Sequence, residues 1–117
     1  MDQRIPRSIA PKDLDSWLHS SSLQPILVDV REEEELGLAP FPKTSLHFPL
    51  SRASNQMDSL PKLLGIDQKI VVLCHSGVRS WQFGMWLIEQ EWGHEVWNLE
   101  GGIDAWSLQV DPTVPRY

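Results

Sequence analysis

Two short stretches of the chain are almost continuously apolar. Residues 26–30 place Ile26, Leu27, Val28 and Val30 around Asp29, and residues 69–73 follow Lys69 with Ile70, Val71, Val72 and Leu73. Short runs rich in β-branched residues, without polar alternation, predict strands covered on both faces, as in a parallel sheet. Residues 95–99 give a third strand, and Leu46-His47-Phe48 a short fourth. Between the strands the period lengthens. Leu14, Trp17 and Leu18 follow Pro11 at spacings of three and four, which predicts a helix that the serines at 20–22 end. Phe83, Gly84, Leu87 and Ile88 share one face of a helix predicted over 81–91. Residues 54–64 predict another, with Pro61 inside it and Gly65 as its stop, while Pro40, Pro42 and Pro49 hold the chain extended before it. Gly101-Gly102 marks a tight turn, 103–106 a short helical turn, and 107–117 an irregular tail. Strands that alternate with helices predict an α/β domain, its parallel strands joined by right-handed crossovers.

The 117 residues are read as one domain, enough for one core and too few for two. No apolar run is long enough to span a bilayer, and the first residues lack the apolar centre of a signal peptide, so the expectation is a soluble cytoplasmic protein without a membrane partner. Sixteen acidic residues against ten basic ones leave a net charge of −6, which speaks against a nucleic-acid partner. Four of the acids, 32–35, read as a solvated turn. With only one cysteine, the chain builds neither an internal disulfide nor a cysteine-based zinc site.

That cysteine stands where parallel sheets do their chemistry. Ligands of such sheets bind beyond the carboxyl ends of the strands. Cys74 lies just past one predicted strand, and Asp29 near the end of another. A six-residue loop, Cys74-His75-Ser76-Gly77-Val78-Arg79, then leads through Ser80 into a helix. Such a loop curls its N–H groups inward, and the helix adds its own free N–H groups and the positive end of its dipole. The result is an anion cradle in which a thiolate nucleophile is favoured. Gly77 gives the loop conformational freedom, and Arg79 adds positive charge.

Cys74 to Ser80 resembles the active-site loop of the rhodanese family, C-x-x-G-x-R-S. Four further stretches resemble that family in order: Ile9 to Leu14 its opening strand and helix, Asp29-Val30-Arg31 with Glu35 its D-V-R…E, His47-Phe48-Pro49 its H-I-P, and Leu99 to Trp106 its closing L-x-G-G-I-x-A-W. The likeness runs from about residue 7 to residue 106, with 107–117 outside it. It departs at 39–45, where the region before His47 carries an extra residue, and at 91–94, which holds Glu-Trp-Gly-His. The resemblance implies a five-stranded parallel sheet with helices on both faces. It also implies a sulfurtransferase: Cys74 takes a sulfane sulfur from thiosulfate or a persulfide and passes it to a thiol, that of a protein included, or to cyanide. No cofactor and no metal are implied. His75, Ser76, Gly77, Val78, Arg79 and Ser80 are the expected substrate and anion loop around Cys74.

Two other readings stand beside it. One is a non-catalytic partner-binding module of the same family. The other is a cysteine phosphatase or arsenate reductase on the same fold, against which the loop length counts, since C-x4-R is one residue shorter than the C-x5-R of those enzymes. Arg31 and Glu35, four apart, are expected to form a structural ion pair, and His47 to be a hydrogen-bonded structural residue. Arg79 is either an anion ligand or paired with a carboxylate behind the loop. Trp81 and Met85 are candidates for an apolar rim at the site's mouth or for ordinary packing.

Overall fold

The β-branched runs form strands because their side chains have a layer to enter on each side. In a computed structural model, which describes residues 3–20, 23–65 and 67–117, the chain alternates strand and helix. The elements are β1 (Arg7–Ile9), α1 (Pro11–His19), β2 (Ile26–Asp29), α2 (Glu33–Leu38) and β3 (Leu46–His47). A 3-10 turn at Leu50–Arg52 then leads into α3 (Ala53–Gln56), α4 (Leu60–Leu64), β4 (Lys69–Leu73), α5 (Val78–Glu89), β5 (Glu95–Leu99) and α6 (Gly102–Gln109). The strands make one sheet in the order β1-β5-β4-β2-β3, and every adjacent pair is parallel.

The period of two sorts the strand residues between the layers. From β4, Ile70 and Val72 join Val28, Leu60, Leu64, Phe83, Leu87 and Val96 on one face, under α4 and α5. Val71 and Leu73 join Leu27, Leu14, Ile103 and Trp106 on the other, under α1 and α6. This is the expected five-stranded parallel sheet with helices on both faces. Most of these side chains are wholly buried, each contributing roughly 1.5–3 kcal/mol.

Four local expectations are corrected. The helix read over 54–64 is two helices, α3 and α4, parted at 57–59. Proline has no N–H to donate to the carbonyl four residues back, so Pro61 sits in the first turn of a new helix. Gly65, at φ 71°, does end α4. The helix read from 81 starts three residues earlier, at Val78. Its first turn shows no apolar period because Val78 is exposed and Ser80 is buried. The turn at 103–106 is an eight-residue helix that reaches Gln109, so part of the tail is regular. The acids at 32–35 are no solvated turn. They start α2, where the Glu35 carboxylate accepts from the Glu32 N–H in a capping box. Helix α1 ends at Ser20 as expected, while Ser21 and Ser22 lie outside the described residues.

Candidate active site

β4 is the middle strand, and Cys74 is the first residue beyond it. The chain turns back into α5 within three residues, because Gly77 adopts φ 102°, a conformation side chains resist. That turn aims N–H groups at the sulfur. The Gly77 N–H donates to Cys74 Sγ at 3.1 Å and the Ser80 N–H at 3.4 Å, while Ser80 Oγ lies 3.2 Å away. Cys74 itself is 1 % exposed, so these donors act in a low-dielectric setting where they count for more than in water.

Two elements brace the loop from behind. The N-terminus of α6 donates from Ile103 to the Cys74 carbonyl at 2.9 Å and from Asp104 to the His75 carbonyl at 3.1 Å. Gly102 permits this approach, since a Cβ there would collide with both carbonyl oxygens. From β5, buried Asn98 donates through Nδ2 to the Gly77 carbonyl at 3.1 Å, and its Oδ1 lies 2.5 Å from Ser80 Oγ. Neither role was anticipated. The signal for Asn98 was present: it is an amide on the same strand face as buried Val96, beside Val72 in register.

The rim is a chain of charged groups. Arg79 donates from both terminal nitrogens to Glu35, at 2.5 and 2.7 Å. Of the two roles open to Arg79, carboxylate pairing is the one observed. Glu35 therefore does not pair with Arg31 as the four-residue spacing suggested. Arg31 turns its guanidinium back onto Asp29, at 2.8 Å between Nη2 and Oδ2, and also donates to the Ala39 carbonyl at 2.9 Å. Its only hydrogen bond to Glu35 runs to the backbone carbonyl. The reason lies in burial: Arg31 is fully enclosed beside Asp29, whereas the Glu35 side chain points to the loop. His47 is hydrogen-bonded as expected, its Nε2 2.6 Å from the Arg31 carbonyl oxygen.

Tyr117, placed in the irregular tail, also reaches the rim. Its hydroxyl donates to Glu35 Oε2 at 2.7 Å and accepts from Arg31 Nη1 at 3.2 Å. Its ring stacks on His75, with centroids 4.2 Å apart. Buried Val114, whose carbonyl accepts from Ser107 Oγ at 2.6 Å, fixes the segment before it. Nothing in the sequence foretold this, because a residue without periodicity announces no long-range contact.

The charges follow from these contacts. Hydrogen bonds from Arg79, together with the Glu32 N–H and the Tyr117 hydroxyl, hold the Glu35 carboxyl at about 2 against the opposing effect of burial. The same hydrogen bonds raise the Arg79 guanidinium above its ordinary value. Burial, seconded by the Glu35 carboxylate, pushes the Tyr117 phenol to about 12, although Arg31 pulls the other way.

The remaining loop residues sort by depth. Gly77 and Ser80 face inward, and His75, Ser76, Val78 and Arg79 form the rim, with Ser76 and Val78 exposed. Trp81 and Met85 are half-buried, and the apolar groove along α5 is lined instead by Gln82, Phe83 and Trp86, facing Phe48, Leu50, Ala53 and Met57. Among the described residues, no group of three or more His, Cys, Asp or Glu side chains is placed to hold a metal ion, and no helix is long and apolar enough to cross a membrane.

A cysteine at the end of the middle strand, a four-residue turn into a helix and a glycine-opened brace together define a known arrangement. The family model for the rhodanese-like domain matches residues 10–109. A sulfurtransferase of Allochromatium vinosum is 36 % identical over 89 residues, covering 76 % of this chain and 78 % of that protein. The rhodanese-like/PpiC domain-containing protein 12, chloroplastic, of Arabidopsis thaliana is 37 % identical over 106 residues. The match covers 86 % of this chain but only 35 % of that longer relative. The crystal structure of a rhodanese-like domain protein from Staphylococcus aureus superposes with a TM-score of 0.71 at 27 % identity, over 86 % of this chain and 90 % of that one. Sequence, fold and loop agree, and the chain belongs to the rhodanese-like domain family.

Proposed function

We propose that this protein is a sulfurtransferase that carries a sulfane sulfur on Cys74 as a persulfide. The observation that carries the reading is the convergence of the Gly77 and Ser80 N–H groups on Cys74 Sγ. They would stabilise negative charge on the sulfur they face during attack and on the outer sulfur after transfer. In the first step the Cys74 thiolate attacks the outer sulfur of a donor such as thiosulfate or a persulfide. A bond forms between Sγ and that sulfur, and the donor's own bond to it breaks, its electron pair leaving on sulfite or a thiolate. In the second step a thiol or cyanide attacks the outer sulfur, and Cys74 departs as thiolate. The two steps balance without an outside oxidant or reductant. Burial of Cys74 keeps bulk water from the loaded sulfur.

The sulfurtransferase named among the relatives supports sulfur transfer as the reaction class. The loop from Cys74 to Arg79 holds six residues and turns tightly, which suits a single sulfur atom better than the tetrahedral oxyanion of a phosphatase. The test is intact-mass measurement after incubation with donor and desalting. Wild type should gain one sulfur and lose it again to cyanide or a thiol. Cys74→Ser, nearly the same in size but far less acidic, should gain none while unfolding at the same urea concentration. Aryl phosphate hydrolysis that disappears in Cys74→Ser would instead assign the site to the phosphatase class.

A further inference from the structure

Three arginines stand around the Cys74 loop, Arg31 buried behind it and Arg79 and Arg116 nearer the surface, and each is paired with a carboxylate. Arg79 is closed onto Glu35 by two hydrogen bonds. Glu35 has no freedom to swing away, because the Glu32 N–H holds Oε1 at 3.1 Å and the Tyr117 hydroxyl holds Oε2 at 2.7 Å. Arg31 is likewise closed onto Asp29, and Arg116, next to Tyr117, onto Asp104 at 2.7 Å. Each of these three guanidinium groups thus has its own carboxylate, on a chain whose net charge is −6.

Resting on the sulfur-transfer reading, we infer that Glu35 is a specificity-determining residue that sets the donor class: by neutralising Arg79 it turns the site away from dianionic thiosulfate and toward the persulfide of a thiol. Thiosulfate brings two negative charges to the mouth, and its leaving group, sulfite, departs with two. Both need a free cation that Glu35 withholds. A persulfide, R–S–SH, asks for less. The Cys74 thiolate bonds to the outer sulfur, which keeps its proton, and the inner S–S bond breaks with its electron pair on RS⁻, a single charge. The surface beside Arg79 also suits a carbon-bearing donor. Gln82, Phe83 and Trp86 follow Arg79 at spacings of three, four and seven, so they continue its face of α5. They line a groove of about 250 Å³ with Phe48, Leu50, Ala53 and Met57. Apolar walls favour a carbon skeleton and disfavour a hydrated dianion.

The experiment measures the rate of Cys74 sulfur loading by intact mass, with thiosulfate and with cysteine persulfide, in wild type and in Glu35→Gln. Glutamine keeps the length and an acceptor for Arg79 but releases its charge. Wild type should load faster from the persulfide. In Glu35→Gln the ratio of thiosulfate to persulfide rates should rise about tenfold, the order expected when one unscreened charge is freed near a dianion. Added salt should speed thiosulfate loading of wild type, by screening repulsion, and slow that of the variant. A variant that merely loosened the fold would change both donors alike and leave the sign of the salt effect unmoved. Tyr117→Phe, which removes one anchor of Glu35 and keeps the His75 stack, should shift the ratio in the same direction by less. An unchanged ratio in a folded Glu35→Gln, or a wild type that prefers thiosulfate, overturns the donor assignment alone. Failure of Cys74 to load from either donor overturns the sulfur-transfer reading, and the assignment with it.

Discussion

The hydroxyl of Ser80 has one proton and two buried acceptors within reach, Cys74 Sγ at 3.2 Å and Asn98 Oδ1 at 2.5 Å. Asn98 cannot turn its amide to help, because Nδ2 is committed to the Gly77 carbonyl. Each time Ser80 serves the sulfur it deserts the amide, so the two contacts are coupled through one atom. Removing the hydroxyl should therefore have two effects. In Ser80→Ala the Asn98 oxygen is stranded without a donor, and the stability cost should be about 1–3 kcal/mol, read by urea unfolding. Sulfur loading should also slow several-fold, since one of three donors to the sulfur is gone. Replacing Asn98 by leucine in the same chain should cost less than the two single changes added together, because the stranded oxygen disappears with it. Additive costs would show that the shared proton is not what joins these residues. At this scale the sequence was informative where chemistry is local. Cys74, Gly77 and Ser80 stand together in one loop. The partner of Glu35 was misread, because the nearest cation in the sequence is Arg31 and the nearest in space is Arg79, 44 positions away.

Helix α6 shows how an element far from Cys74 in sequence builds its loop. Its first N–H groups bond the carbonyls of Cys74 and His75, turning the loop's own N–H groups toward the sulfur. The contact is backbone to backbone and has no room for a side chain at Gly102, which also holds φ 63°. Gly102→Ala should thus cost about 1–3 kcal/mol in conformational strain and about as much again in overpacking. It should also displace the cradle, so that sulfur loading falls by more than the stability loss accounts for at temperatures where the variant stays folded. Full activity in a folded Gly102→Ala would mean that α6 does not shape the loop. The element boundaries were readable wherever a core period runs to the end, as in β4 and β5. They were lost where polar contacts replace that period. The first turn of α5 carries an exposed valine, a paired arginine and a buried serine, so it looks like loop in the sequence.

Across the whole molecule, the groups Asp29, Arg31, Tyr117, Glu35 and Arg79 form one line of hydrogen bonds that ties the end of β2, helix α2, the tail and the Cys74 loop together. The sheet and its two layers were legible in the sequence because burial leaves a pattern. This line was not, because it joins residues that only the finished fold makes neighbours. Its weak point is acid. The Glu35 carboxyl titrates at about 2 in the folded protein and near the ordinary 4.5 once unfolded, chiefly because Arg79 hydrogen-bonds the charged form. A carboxyl whose folded value is depressed adds stability that is complete above the unfolded value and lost as the pH falls through the folded one. At about 1.4 kcal/mol for each pKa unit this amounts to roughly 1–3 kcal/mol, toward the low end because the Arg79 side chain is 35 % exposed and screened by solvent. Urea unfolding of wild type and Glu35→Gln at a series of pH values isolates the effect. The stability gap between them should be constant above about pH 5.5. It should begin to close near 4.5 and be largely gone at about 2, while other carboxyls titrate alike in both proteins and cancel. A gap that stays constant across this window would mean that the carboxylate charge of Glu35 does not hold the line together.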